Sequence, residues 1–226
     1  MYLFYDTETN GLPKNASLSH VDVDNWPRLV SITWVLQDEE KNVVEEESFI
    51  IKPDGWTIPQ RLTDYVHGIS DEQAEKEGVP IKVVLNEFMK ALWRADYVVG
   101  HNIRFDRKVV AAEMYRYLFG YHYDEVLYGT RFRDTMHASR LHVKALNKKG
   151  GIKFPKLQEM YVKIFGSEFE NAHDATADVH ATADCFWKLD EMGIIDDYYL
   201  THSDLSEKFK PRAEIKIDIF NLPEVE

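Results

Sequence analysis

Cysteine is almost absent: Cys185 is the only one among 226 residues. That excludes an internal disulfide and a cysteine-ligated zinc cluster. Its neighbours Phe186 and Trp187 suggest a small buried residue. No apolar run approaches the ~18–20 residues that span a bilayer, so no transmembrane helix is expected. The opening MYLFYDTETNG lacks a basic segment and reaches acidic residues at once, unlike a secretory signal. A cytoplasmic location with no membrane contact is the expectation. Net positive charge is missing too. The formal charge is −12, which argues against binding nucleic acid by bulk electrostatics, since such affinity comes largely from Lys and Arg on phosphates.

What is present suits one buried core. Apolar residues make up 44% and charged residues 29%, as in ordinary globular domains. The charge is unevenly spread. Arg131, Arg133, Arg140, Lys144, Lys148, Lys149, Lys153 and Lys156 crowd a stretch whose one acid is Asp134. This is either a solvated loop or a local phosphate-contacting patch.

Hydrophobic patterning predicts three antiparallel strands first: Tyr2–Tyr5 ending at Asp6, Leu29–Leu36, and Val43–Lys52. Helices are predicted at Asp71–Lys76 and Ile81–Ala95, then a strand at Tyr97–Gly100. A helix over Arg104–Phe119 and a fifth strand at Thr130–Asp134 follow. Helices at Thr135–Val143, Leu157–Phe165 and Ala175–Met192 complete the pattern, the last closed by Gly193. The order β-β-β-α-β-α-β-α-α fits an α/β fold, a five-stranded mixed sheet flanked by helices. Residues 1–192 read as one domain. Residues 193–226 read as a C-terminal appendage, with Glu214–Phe220 a candidate edge strand.

Four acids draw notice. Asp6 and Glu8 are two apart at the end of the first strand, so both point to one face. Gly11 is expected to permit a tight turn after them. Asp106 opens the helix after the fourth strand, in HNIRFD, where ligands gather in open α/β sheets. Asp178 lies on the last helix among Ala175, Ala177, Ala181 and Ala183, small residues that let a helix lie close to a sheet. Each acid alone reads equally well as surface charge. If all four converge, their repulsion calls for cations, and oxygen ligands suit Mg²⁺ or Mn²⁺.

DTETNGL, HNIRFD and HDATADVHATAD resemble, in order, the three motifs of the DEDDh (DnaQ-like) 3′→5′ exonucleases. His67-Gly68-Ile69 adds a likeness to the polymerase-type members, such as the proofreading epsilon subunit of bacterial DNA polymerase III. The resemblance runs from Asp6 to about Leu189. It implies a ribonuclease H-like fold. It implies two divalent cations on Asp6, Glu8, Asp106 and Asp178, and His173 as general base. It implies work in DNA replication or repair, with a DNA polymerase as a candidate partner. Asn10 stands where many members have Thr and is given no catalytic weight.

Hydrolysis of a 3′-terminal phosphodiester of single-stranded DNA would then follow a two-metal pattern, with a neutral imidazole taking the proton of water. His173 and Asp178 are five apart and cannot share a helical face, so His173 is placed on the loop before the helix. Substrate contacts are expected from the Thr7 N–H, Gly11, Leu12, His101, Asn102 and Phe105. Phe105 is the readiest of these to be ordinary packing, and His101 reads as either structural or substrate-adjacent. His67 is expected to cap a turn. His137 and His142 lack zinc-pair spacing, and His180 should turn away from Asp178. Two alternatives stand beside this reading: an RNA-trimming exoribonuclease of the oligoribonuclease or ribonuclease T kind, and a catalytically silent binding module.

Overall fold

The computed structural model describes residues 1–117, 131–170 and 174–195. Its sheet has five strands: β1 (Tyr2–Thr9), β2 (Leu29–Gln37), β3 (Val43–Ile50), β4 (Tyr97–Gly100) and β5 (Arg131–Asp134). They lie in the order β3-β2-β1-β4-β5. The β1–β2 and β2–β3 pairs are antiparallel, and β1–β4 and β4–β5 are parallel. Among the described residues seven helices flank it: α1 (Gln60–Leu62), α2 (Asp71–Glu77), α3 (Ile81–Arg94), α4 (Ile103–Tyr117), α5 (Thr135–Val143), α6 (Leu157–Phe165) and α7 (Ala175–Glu191). This is the mixed, ribonuclease H-like sheet expected. Six of these helices were predicted individually; the short α1 was not, and the written order, with four helices, compressed the consecutive helices before β4 and after β5. No described helix is long and apolar enough to cross a membrane.

Side-chain alternation divides the core. Leu3 and Tyr5 of β1 face the cluster built with Phe88 and Leu92 of α3 and Val109 and Val110 of α4. Phe4 faces the opposite side, with Val99, Val179, Ala183 and Phe186. Period 2 therefore sends Asp6 and Glu8 toward α7, and Thr7 toward α4. On α7, Val179, Ala183 and Phe186 are spaced i, i+4, i+7 and meet the sheet as one face. Buried Ala181 and Ala183 permit the close approach their size suggested. Gly193, at φ +67°, closes the helix through its N–H to Asp190 O.

The first strand is longer than predicted. It runs through Asp6 to Thr9, pairing Asp6 with Thr33, Thr7 with Ile32 and Glu8 with Ser31. Ladder pairing and the β-branched Thr7 and Thr9 outweigh the polarity that suggested a stop. β4, by contrast, pairs with β1 only at Tyr2–Phe4. The flank of β1 beyond Phe4 is left to the first turn of α4. That helix starts abruptly. A Cβ at Gly100 would stand 2.5 Å from Ile103 Cδ1 and 3.2 Å from Ile103 Cβ, so a larger residue there would require the Ile103 side chain to move. Asn102 takes φ +67°, a left-handed value that Asn tolerates.

Beyond Gly193–Ile195, the expected appendage and its Glu214–Phe220 strand lie outside the described residues, as do Phe119 and Thr130.

One buried ion cluster fixes α4 to the sheet. Glu113 accepts from Arg28 Nε (3.0 Å) and the Leu29 N–H (3.0 Å), and pairs with Arg116 at 2.8 Å. It is 1% exposed, so losing it strands two guanidinium groups in a poorly solvated site. Glu113→Ala is expected to cost about 3–5 kcal/mol of unfolding free energy. Urea titration of both proteins checks this, and a loss under about 1 kcal/mol would refute it.

Candidate active site

Three of the four acids meet. One carboxylate oxygen each from Asp6, Glu8 and Asp178 lie within 4.8 Å of one another. Asp178 reaches the group because α7 starts there. Asp174 caps the helix, accepting from the Thr176 N–H (3.1 Å) and the Ala177 N–H (3.0 Å), and Asp178 follows in the first turn. Asp106 is not in the close group. It sits on the α4 side, where its Oδ1 accepts from the Thr7 hydroxyl (2.6 Å) and the Thr7 N–H (3.1 Å). The N–H expected to hold a terminal nucleotide is thus already used by Asp106. The acids of both faces still feel one another, since Asp6 is destabilised by Asp106, Glu8 and Asp178 together.

The electrostatics are severe. At 4.8 Å or less, two carboxylates repel by about 3 kcal/mol or more at an effective dielectric of ~20. Asp6 and Glu8 keep some solvent contact, yet they are packed deeply among protein atoms. Burial, then repulsion from Asp178 and Asp106, pushes the Glu8 carboxyl up to about 8. Burial, then Asp106 and Glu8, holds Asp6 well above the usual carboxylate range. Burial raises Asp106 to about 7 against the opposing pull of its Thr7 hydrogen bonds. An all-oxygen donor set that cannot comfortably hold its own charge fits a hard divalent cation.

The other predicted residues divide. Leu12 is 83% exposed, so ordinary packing does not account for it. Phe105 packs against the core, the bland outcome expected of it. His101 has both ring nitrogens engaged: Nε2 donates to Pro155 O (3.0 Å) and Nδ1 lies 3.1 Å from Thr135 Oγ1. Burial lowers its pKa to about 4, so it is a neutral strut between β4 and the segment before α6. Asn102 serves the turn, with its N–H on Asp134 Oδ1 (3.1 Å) and its C=O taking the Phe105 N–H. Gly11 needs no glycine, since a Cβ there would meet nothing within 4 Å. The tight turn expected of it is made instead by Thr9 Oγ1, which donates to Gly11 O, and by Asn10, which exchanges hydrogen bonds with the Arg28 backbone. His67 does cap a turn, its Nδ1 accepting from the Ile69 N–H. His180 faces Glu46 of β3. His173 lies outside the described residues; α7 begins two positions after it.

Asp134 was missed. It is buried, its pKa is raised chiefly by that burial, and it disfavours charge on Asp106. It holds the Asn102 N–H that starts α4 and the Met136 and His137 N–H groups that start α5. Its place at the end of a strand, just before a helix, was the available signal.

The model of the RNase T exonuclease family matches residues 3–186. The chain belongs to that family. Membership bears out the likeness to DEDDh 3′→5′ exonucleases and the assignment as a hydrolase. No curated protein matches the chain. Solved structures do. Escherichia coli exonuclease I in complex with a dT13 oligonucleotide is similar with a TM-score of 0.63 and 24% identity, over 91% of this chain and 45% of that one. The same protein in complex with a dA16 oligonucleotide gives 0.60 and 22%, over 84% and 40%. A further exonuclease I structure gives 0.61 and 25%, over 84% and 40%. The chain thus spans less than half the length of these exonuclease I chains.

The raised carboxyl groups set a pH dependence. Their folded pKa values exceed the ordinary value of about 4, so they favour the fold when protonated, and that contribution is lost as pH rises toward about 8. With chelator present, Tm should fall between about pH 5 and pH 8.5, and Mg²⁺ or Mn²⁺ should raise Tm more at the upper pH. Scanning fluorimetry across that range decides it; a Tm indifferent to cation at high pH would contradict the site.

Proposed function

We propose that this family member is a cation-dependent 3′→5′ exonuclease acting on the 3′ end of single-stranded DNA, in proofreading or repair. The convergence of Asp6, Glu8 and Asp178 at the end of β1 carries the reading. Those three, with Asp106 from the opposite face, would hold two divalent cations, Mg²⁺ or Mn²⁺. When bound, such cations supply Lewis acidity at the scissile phosphate and offset the carboxylate charge. The oligonucleotides held by the exonuclease I structures support DNA as substrate class. A DNA polymerase is the candidate partner if the role is proofreading.

The chain's own residues do the rest. Thr7 fixes the Asp106 carboxylate through two hydrogen bonds, so one acid is rigid before substrate arrives. Exposed Leu12 offers an apolar edge for the terminal base, a contact indifferent to base identity. His173, assigned from its motif, takes a proton from water at an imidazole nitrogen. The water oxygen bonds to phosphorus while the bond to the 3′ oxygen of the preceding nucleotide breaks. That oxygen takes up a proton from solvent and leaves as a 3′-hydroxyl, a nucleoside 5′-monophosphate is released, and the His173 imidazolium returns its proton to solvent.

The test follows 5′-labelled DNA and RNA oligomers of matched sequence with Mg²⁺ or Mn²⁺. The DNA should shorten from its 3′ end, and chelator should stop it. Asp6→Ala should lose at least about 10²–10³-fold in rate. His173→Ala should lose about 10²–10⁴-fold in kcat while cation affinity holds. Full activity in Asp6→Ala would refute the site, and faster loss of RNA would reassign the substrate.

A further inference from the structure

The basic stretch noted in the sequence folds into a feature that the proposed chemistry leaves unused. Between α5 and α6 the chain makes a small hairpin. Leu146 and Ile152 pair antiparallel across it. Its tip is organised by Asn147, whose Oδ1 accepts from the Lys149 N–H (2.8 Å) and the Gly151 N–H (3.1 Å). The Lys153 N–H bonds to Ala145 O at its base.

Its surface has two properties at once. Residues from Thr135 to Gln158 include no Asp or Glu, in a chain of net charge −12. Lys144, Lys148 and Lys149 are exposed around the tip. Lys153 is neutralised locally, by Glu159 at 2.7 Å. Apolar groups are uncovered beside them: Leu146 is 61% exposed, Ile152 39% and Phe154 40%. Ile152 sits directly opposite Leu146, so their side chains share one side of the hairpin, and exposed Phe154 follows two residues further along. Phe154 packs against the Arg140 guanidinium, 4.6 Å from its ring centre, and against the His137 ring, tilted 42° to it at 4.5 Å, and keeps 40% of its surface exposed.

The hairpin is anchored to the catalytic edge of the sheet. His101, at the end of β4, donates to Pro155 O, and His137 donates its N–H to Asp134. β4 and β5 end at the same sheet edge from which α4 carries Asp106.

We propose that this hairpin is the landing surface for the single strand on the 5′ side of the nucleotide being removed. The inference rests on the proposed exonuclease reading. Phosphates lie on Lys144, Lys148 and Lys149, and bases lie on the side formed by Leu146, Ile152 and Phe154. Lysines beside an aromatic platform are what unspecific single-strand binding needs. This places the positive charge that the acidic body otherwise lacks where the polymer must pass.

Lys148→Glu/Lys149→Glu in the full chain tests it, since both side chains are exposed at the tip. Binding of a labelled oligodeoxythymidylate of about 20 nucleotides is followed by anisotropy in chelator, where no turnover occurs. The Kd should rise at least about tenfold, and the slope of log K against log salt should fall by about 1.4, the change that follows when two phosphates keep their counterions. Lys148→Arg/Lys149→Arg should bind as wild type. Cleavage of a dinucleotide, too short to reach the hairpin, should be unchanged. A Glu variant that binds the long strand within about twofold of wild type, with an unchanged salt slope, overturns the proposal. It would assign the patch to an acidic protein partner. Strand binding without any cleavage by the wild type would instead refute only the exonuclease reading.

Discussion

Repulsion among Asp6, Glu8 and Asp178 has to be contained by everything around them. The sheet contributes two of the acids on one face of β1, and α7 brings the third against them. All three donors carry negative charge, and their partial burial limits the water that would screen it. The result is Glu8 pushed up to about 8 and Asp6 held well above its ordinary range. A fold that tolerates this is arranged for positive charge to arrive from outside.

The two faces of the sheet share the task unequally. α7 approaches on alanines, and its capped start delivers Asp178. α4 approaches through the abrupt turn at Gly100–Asn102, and its first turn fills the flank of β1 that β4 leaves unpaired. Thr7 then ties Asp106 in place, and Glu113, two turns along the same helix, locks it to Arg28, Leu29 and Arg116. The position of one site carboxylate is thus continuous with the most buried ion cluster among the described residues.

Much of this was legible in the residues. Strand alternation placed Asp6 and Glu8 on one face, helical spacing placed the sheet-facing side of α7, and the ends of most elements fell within a residue or two. The misses have physical causes. β1 outran its prediction because ladder pairing with β2 overrides the polarity of Asp6, Thr7 and Glu8. The Thr7 N–H was read as open to substrate and His101 as structural or substrate-adjacent; long-range partners, Asp106 and Pro155, engage them. Such partners lie 99 and 54 residues away and leave no local pattern. Gly11 was expected to permit a tight turn; side-chain hydrogen bonds of Thr9 and Asn10 shape that turn, and a Cβ at Gly11 would meet nothing within 4 Å.

Whether the acids exist to hold cations is the central claim, and ion positions test it most directly. Crystals soaked in Mn²⁺ and measured at a wavelength where manganese scatters anomalously would show where the ion sits. The account predicts anomalous density bound by oxygens of Asp6, Glu8 and Asp178, at the junction of β1 and α7. Saturating Mn²⁺ with no density among those three carboxylates would contradict it.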